Sequence, residues 1–144
     1  YGPWGRPYMA AWTFTGAYVA GKPIRVFHHG EMWGDFPYID DIVDGVVAVL
    51  DKPPADSAQK HALYNIGNSQ PVHLGRFIDT LESLLGVKAI RHNEPLQPGE
   101  VEKTYADTSA LERDFGFKPK VPVKEGLKKF VDWYRGEWRP EGKR

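Results

Sequence analysis

The chain of 144 residues contains no cysteine. Disulfides, thiolate metal sites and cysteine nucleophiles are thereby excluded, and the composition suits a reducing compartment, read here as the cytoplasm. Charge of one sign is lacking too. Nineteen Lys and Arg balance nineteen Asp and Glu with no long run of either, so the footprint of a nucleic-acid partner is missing. No apolar run approaches the roughly 20 residues of a membrane span, and the start has no basic and apolar signal region, which argues against a membrane partner. There is no initiator Met: Tyr1-Gly2-Pro3-Trp4-Gly5-Arg6-Pro7 reads like the interior of a longer chain. Glycines are plentiful, yet none form Gly-x-Gly-x-x-Gly or Gly-x-x-Gly-x-x-Gly after a strand, so no dinucleotide phosphate loop is present. No Gly-x-Ser-x-Gly nucleophile elbow occurs either.

The residues that are present suffice for one domain with a real core. That domain is expected over residues 1–135, with a frayed charged tail over 136–144. Asp35 to Gly45 turns an aromatic strand end into a helix. Asp40 or Asp41 is expected to cap it, and Ile39, Ile42, Val43, Val46, Val47 and Leu50 recur at helical spacing as a buried face. Upstream, Pro7 suits the first turn of a helix reaching Tyr18, with Gly21 as its stop. Ile24 to Phe27 alternates as a strand, and His28-His29-Gly30 is a turn. Downstream, Ala55 to Lys60 reads as a polar loop and Ala62 to Ile66 as a short buried strand. Ser69 or Gln70 opens a helix stopped by Gly86, Val87 to Arg91 reads as a strand, and His92 to Glu102 as a loop. Asp107-Thr108-Ser109 caps a short helix ending at Gly116, and a last helix carries Val123, Leu127, Phe130, Val131 and Tyr134. Short strands alternating with helices indicate an α/β or α+β domain.

The chemistry on offer is sparse. His28 and His29 are adjacent, and neighbours on a strand point to opposite faces, so a metal site is not expected. Tyr18-x-x-x-Lys22 has the spacing of a dehydrogenase proton-transfer pair, but Gly21 and Pro23 flank the lysine and end the helix too early. Arg6, in a Gly/Pro/Trp-rich loop, has the planar fork that suits a carboxylate or phosphate. Gln97-Pro98-Gly99-Glu100 pairs an amide and a carboxylate on a turn, as ribose hydroxyls require. A solvated loop arginine and an ordinary surface turn satisfy the same local patterns.

Taken together, several segments resemble the C-terminal half of the extended short-chain dehydrogenase/reductases of the NAD-dependent epimerase/dehydratase family, and above all the UDP-glucuronate 4-epimerases. Residues 1–10 follow the family's Tyr-Gly-Pro-Trp-Gly-Arg-Pro-Asp-Met-Ala except at Tyr8. Gly21 to Ile24, Phe36 with Tyr38 to Val43, Tyr64 to Asn68, Gln97 to Gly99, Thr104 to Asp107 and Asp114 to Pro119 also match, in order. The resemblance implies the substrate-binding part of such an enzyme, with short strands and about five helices and the Rossmann NAD domain largely absent.

In that family NAD takes a hydride from C4 of a UDP-sugar, the keto intermediate rotates, and the hydride returns to the other face. The cofactor loop and the catalytic Ser/Thr-Tyr-Lys set are then expected upstream of Tyr1, so no catalytic and no cofactor-binding residue is assigned here, and the isolated chain is not expected to turn over. NAD and a homodimer are expected of the parent enzyme. By position, Arg6 is expected to hold the glucuronate carboxylate, Arg25 and Phe27 to flank uracil, and Gln97 and Glu100 to meet the ribose and diphosphate side. Two departures stand out: Gly34 lies where the family generally has a diphosphate-binding Arg, and Pro37 where it has Thr. A non-catalytic binding module, or an epimerase or dehydratase for another nucleotide sugar, remains open on these residues.

Overall fold

A computed structural model describes residues 1–52 and 61–138. Helix α1 spans Ala10–Val19, β1 Ile24–Phe27, β2 Trp33–Gly34 and α2 Ile39–Asp51. They are followed by β3 Val72–His73, α3 Leu74–Leu85, β4 Arg91–Glu94, α4 Ser109–Phe115 and α5 Val123–Gly136.

The core is made by three helices laid on one strand pair. From α3 come Phe77, Ile78 and Leu81, and from α5 Leu127, Phe130 and Val131, all at 1% exposure or less. At roughly 1.5–3 kcal/mol for each fully buried large side chain, this layer fixes the position of everything around it. An aromatic cluster closes one end: Trp12 meets Phe130 and Trp133 at 5.5 Å and Trp138 at 5.0 Å, all edge-on. Trp138 thus belongs to the packed body rather than to a frayed tail; residues 139–144 lie outside the described residues.

Strand β1 pairs in parallel with β4 (Ile24 opposite Arg91, Phe27 opposite Glu94). The strand expected over Val87 to Arg91 therefore begins where that expectation ends, and His92 to Glu94 are ladder rather than loop. Arg91, Asp79 and Glu82 explain the shift. Arg91 donates to both carboxylates at 2.7 Å, tying the strand start to α3. A second pairing, β2 with β3, is antiparallel (Trp33 opposite His73), so α3 begins at Leu74, later than Ser69 or Gln70 suggests. Gly86 ends α3 in the left-handed conformation at φ 70°, as expected.

Helix α2 departs most from expectation. Neither Asp40 nor Asp41 caps it: Tyr38 holds the N-cap position with no side-chain bond. Asp41, 2% exposed, turns inward and accepts the backbone N–H groups of Lys120 (2.9 Å) and Val121 (3.0 Å). The apolar stripe is not buried either: Val43 is 50%, Val46 54%, Val47 46% and Leu50 74% exposed. Residues 61–66 form no strand, and Leu63 is 87% exposed. The polar loop expected at Ala55 to Lys60 lies outside the described residues. Among the described residues no helix is long and apolar enough to cross a membrane.

Candidate functional site

The parallel register of β1 and β4 determines what can gather. Both strands end on the same edge, and the segments leaving them start side by side: the turn of His28–Gly30 after β1, and Pro95 to Glu100 after β4. In open parallel sheets ligands bind outside such carboxyl ends. Arg25 and Phe27 share one face of β1, because alternate strand residues point the same way. Across the ladder, Arg25 donates through Nε (2.6 Å) and Nη2 (2.7 Å) to the two oxygens of Glu94. The Glu94 hydrogen bond raises the Arg25 pKa further, and the reciprocal bond holds the Glu94 carboxyl below the usual carboxylate range. The Arg25 guanidinium lies 4.9 Å from the centre of the Phe27 ring. Together with Tyr8, Thr13, Phe14 and Ile24, these two residues line an open depression of about 330 Å³ between α1 and β1.

Gln97 and Glu100 close a turn in which the Glu100 N–H donates to the Gln97 carbonyl at 3.1 Å, with Gly99 at φ +88°. Only glycine takes that φ without strain. Arg6 is exposed on the loop before α1, two residues from Tyr8, and has no ion pair among the described residues. The fold thus joins Arg25 and Phe27 in one lining, starts the Gln97–Glu100 turn just beyond Glu94, and leaves Arg6, Gln97 and Glu100 outside that lining.

Sequence reasoning missed three residues on which the surrounding segments depend. Glu94 is one; only the pairing partner of β1 identifies it. Asp35 is another. Its carboxylate accepts the N–H groups of Asn68 (3.0 Å), Ser69 (3.3 Å) and Ala106 (3.2 Å), fastening two distant segments to its own. The third is Trp33, whose N–H donates to the Glu102 carbonyl (2.8 Å) while its own carbonyl accepts from Thr104 (2.9 Å). Trp33 also stacks edge-on against His73 at 5.2 Å, and His73 approaches Glu31 at 3.2 Å. The departure at Gly34 has a packing correlate. A Cβ there would meet the Phe36 ring at 2.6 Å, and Phe36 stacks on Phe77 at 4.4 Å. A longer residue at position 34 therefore requires that ring to move.

Residues 1–67 match the family described as NAD dependent epimerase/dehydratase family. A probable UDP-glucuronate 4-epimerase of Rhizobium meliloti is 40% identical over 153 residues, which covers 96% of this chain and 45% of that protein. UDP-glucuronate 4-epimerase 2 of Arabidopsis thaliana is 42% identical over 100% of this chain and 36% of its own length. Among solved structures, the UDP-glucuronic acid 4-epimerase of Bacillus cereus, in complex with UDP-glucuronic acid and NAD, superposes with a TM-score of 0.86 at 30% identity. The match covers 96% of this chain and 43% of that one. The chain spans less than half the length of these relatives. With order, spacing and three-dimensional path all matched, the chain belongs to the NAD-dependent epimerase/dehydratase family and corresponds to a C-terminal portion of an extended short-chain dehydrogenase/reductase.

Proposed function

We propose that this chain supplies the nucleotide-sugar-binding part of a UDP-glucuronate 4-epimerase. The observation that carries the reading is the parallel β1–β4 pair, which brings Arg25 and Phe27 to the same sheet edge from which the Gln97–Glu100 turn departs. On that edge Arg25 and Phe27 flank the uracil and Gln97 and Glu100 take the ribose and diphosphate side, while Arg6, on the loop before α1, forks the sugar carboxylate. NAD supplies the hydride exchange at C4 in the complete enzyme. The residues present do not fit that cofactor: among the described residues no glycine-rich turn leads from a strand into a helix, so its pyrophosphate has no cradle here.

The apolar stripe of α2 supports the same reading. A contiguous exposed face of Val43, Val46, Val47 and Leu50 marks a contact surface, and a cofactor domain in the complete polypeptide is the partner that covers it. Alone, the chain binds but does not turn over; the complete enzyme acts as a homodimer in the cytoplasm.

The test is conversion of UDP-glucuronate to UDP-galacturonate by the complete polypeptide that contains this chain. Conversion that is lost when residues 1–138 are deleted supports the proposal. No conversion and no binding of UDP-glucuronate by the complete polypeptide defeats it. Tighter binding of a neutral UDP-sugar than of UDP-glucuronate transfers the assignment to another nucleotide sugar.

A further inference from the structure

A bidentate arginine–carboxylate pair fixes geometry as well as adding energy, and this one lies on the edge proposed to bind nucleotide. In register, Glu94 stands opposite Phe27, and Arg25 lies two residues earlier on the same face of β1. To reach Glu94 the guanidinium crosses the Phe27 ring, which its central carbon approaches to 4.9 Å. The guanidinium thus sits over the ring, and the two hydrogen bonds of 2.6 and 2.7 Å from Nε and Nη2 fix its orientation.

Two chemical consequences follow. The fork uses one edge of the guanidinium and cancels its charge locally, so an anion gains little there. What stays available is a flat face of fixed orientation, and Arg25 remains 64% exposed at its side chain while Glu94 is 27% exposed. A delocalised plane of this kind stacks on planar rings, which an ammonium group cannot do. Tyr8, Phe14 and Phe27 add aromatic lining to the same depression.

We propose that Glu94 is a positioning residue for base recognition, holding the Arg25 guanidinium in one orientation over Phe27 so that a pyrimidine ring stacks on its outer face and is selected by planarity rather than by charge. The inference rests on the nucleotide-sugar reading above and adds to it a residue and a selection rule.

Calorimetric titration of the chain with uridine and with 5,6-dihydrouridine tests it. The second nucleoside keeps both carbonyls and N3–H, but its saturated ring is puckered. The wild type is expected to prefer uridine by about tenfold, within the range of stacking of one base. Glu94→Gln releases the guanidinium, and Arg25→Lys keeps the charge and the ion pair but lacks the plane. Both are expected to reduce the preference to less than about twofold, with melting temperatures close to wild type because the pair is exposed. Retention of the full preference by Glu94→Gln while uridine still binds overturns the role of Glu94 and leaves the nucleotide-sugar reading intact. A wild type that binds neither nucleoside overturns this proposal, while the nucleotide-sugar reading stands or falls with UDP-glucuronate in the complete polypeptide. A preference that depends on Glu94, in a protein whose complete form neither binds nor converts UDP-glucuronate, sustains this proposal and removes the sugar assignment.

Discussion

Replacing Asp41 and Asp40 separately by alanine gives the most informative stability comparison. If either residue capped α2, as their position in the sequence suggests, each change would cost about 1 kcal/mol and the two would be alike. The structure assigns them different roles. Asp41 is 2% exposed and accepts two backbone N–H groups, those of Lys120 and Val121, from a segment almost eighty residues away. Hydrogen bonds to a charged group contribute about 1.5–3 kcal/mol each. After truncation the Val121 N–H stays buried without a partner, whereas water can reach the N–H of exposed Lys120. The expected loss for Asp41→Ala is therefore about 3 kcal/mol, a fall of roughly 10 °C in Tm for a domain of this size. Asp40, 57% exposed at its side chain and 3.4 Å from Lys129, makes a surface pair. Its alanine variant is expected to lose no more than about 0.5 kcal/mol. Urea denaturation of both variants, with equal m-values, measures the difference. A loss under about 1 kcal/mol for Asp41→Ala, or equal losses for the two, refutes the clamp.

Arg6→Ala in the complete enzyme should weaken UDP-glucuronate by about tenfold and leave UDP-glucose unchanged, the loss of one charge-assisted bond; equal effects on both, read by titration, remove the carboxylate role. Glu82 is desolvated by burial, which alone would raise its pKa, yet hydrogen bonds from Lys88, Arg91 and the Ala89 N–H pull it down to about 2. A depressed carboxyl contributes stability above its ordinary value near 4.5, and that stability is lost as pH falls towards 2. Glu82→Gln should flatten this acid limb in pH-resolved melting, and an unchanged limb contradicts the assignment. Val46→Glu and Leu50→Glu, at positions 54% and 74% exposed, should lower self-association of the chain in sedimentation with less than about 0.5 kcal/mol of destabilisation; a large stability loss would mean that this face is packed within the chain. The loss of uridine selectivity in Glu94→Gln completes the set.

Local rules made much of the fold legible. The apolar period of Leu74, Phe77, Ile78 and Leu81 with Gly86 behind it specified α3 and its end. Val123 to Tyr134 did the same for α5, and Asp107, which accepts the Ser109 N–H at 2.9 Å, marked the start of α4. The same periodicity misled at α2, because a hydrophobic stripe says that a face is to be covered and not by what. The strand expected at residues 62–66 failed for a related reason: a strand needs a partner, and residues 61–66 pair with no strand among the described residues.

At the candidate site the same division holds. The local pattern offered Arg6 and the Gln97–Glu100 turn, since guanidinium and turn chemistry are written in residue type, and the family resemblance added Arg25 and Phe27 by position. It did not name Glu94, Asp35 or Trp33. Their roles depend on partners 69 residues away for Arg25 with Glu94 and 33 to 71 residues away for Asp35, distances over which no period in the sequence carries information. By itself the sequence determined which residue types were available, where helices end, and which family the chain resembles. Only the tertiary structure decided that Asp41 clamps a distant loop instead of capping its own helix, that the α2 stripe faces outward, and that Arg25 lies pinned across Phe27. Each of those outcomes is set by long-range backbone pairing, which brings charges together only after the chain has closed on itself.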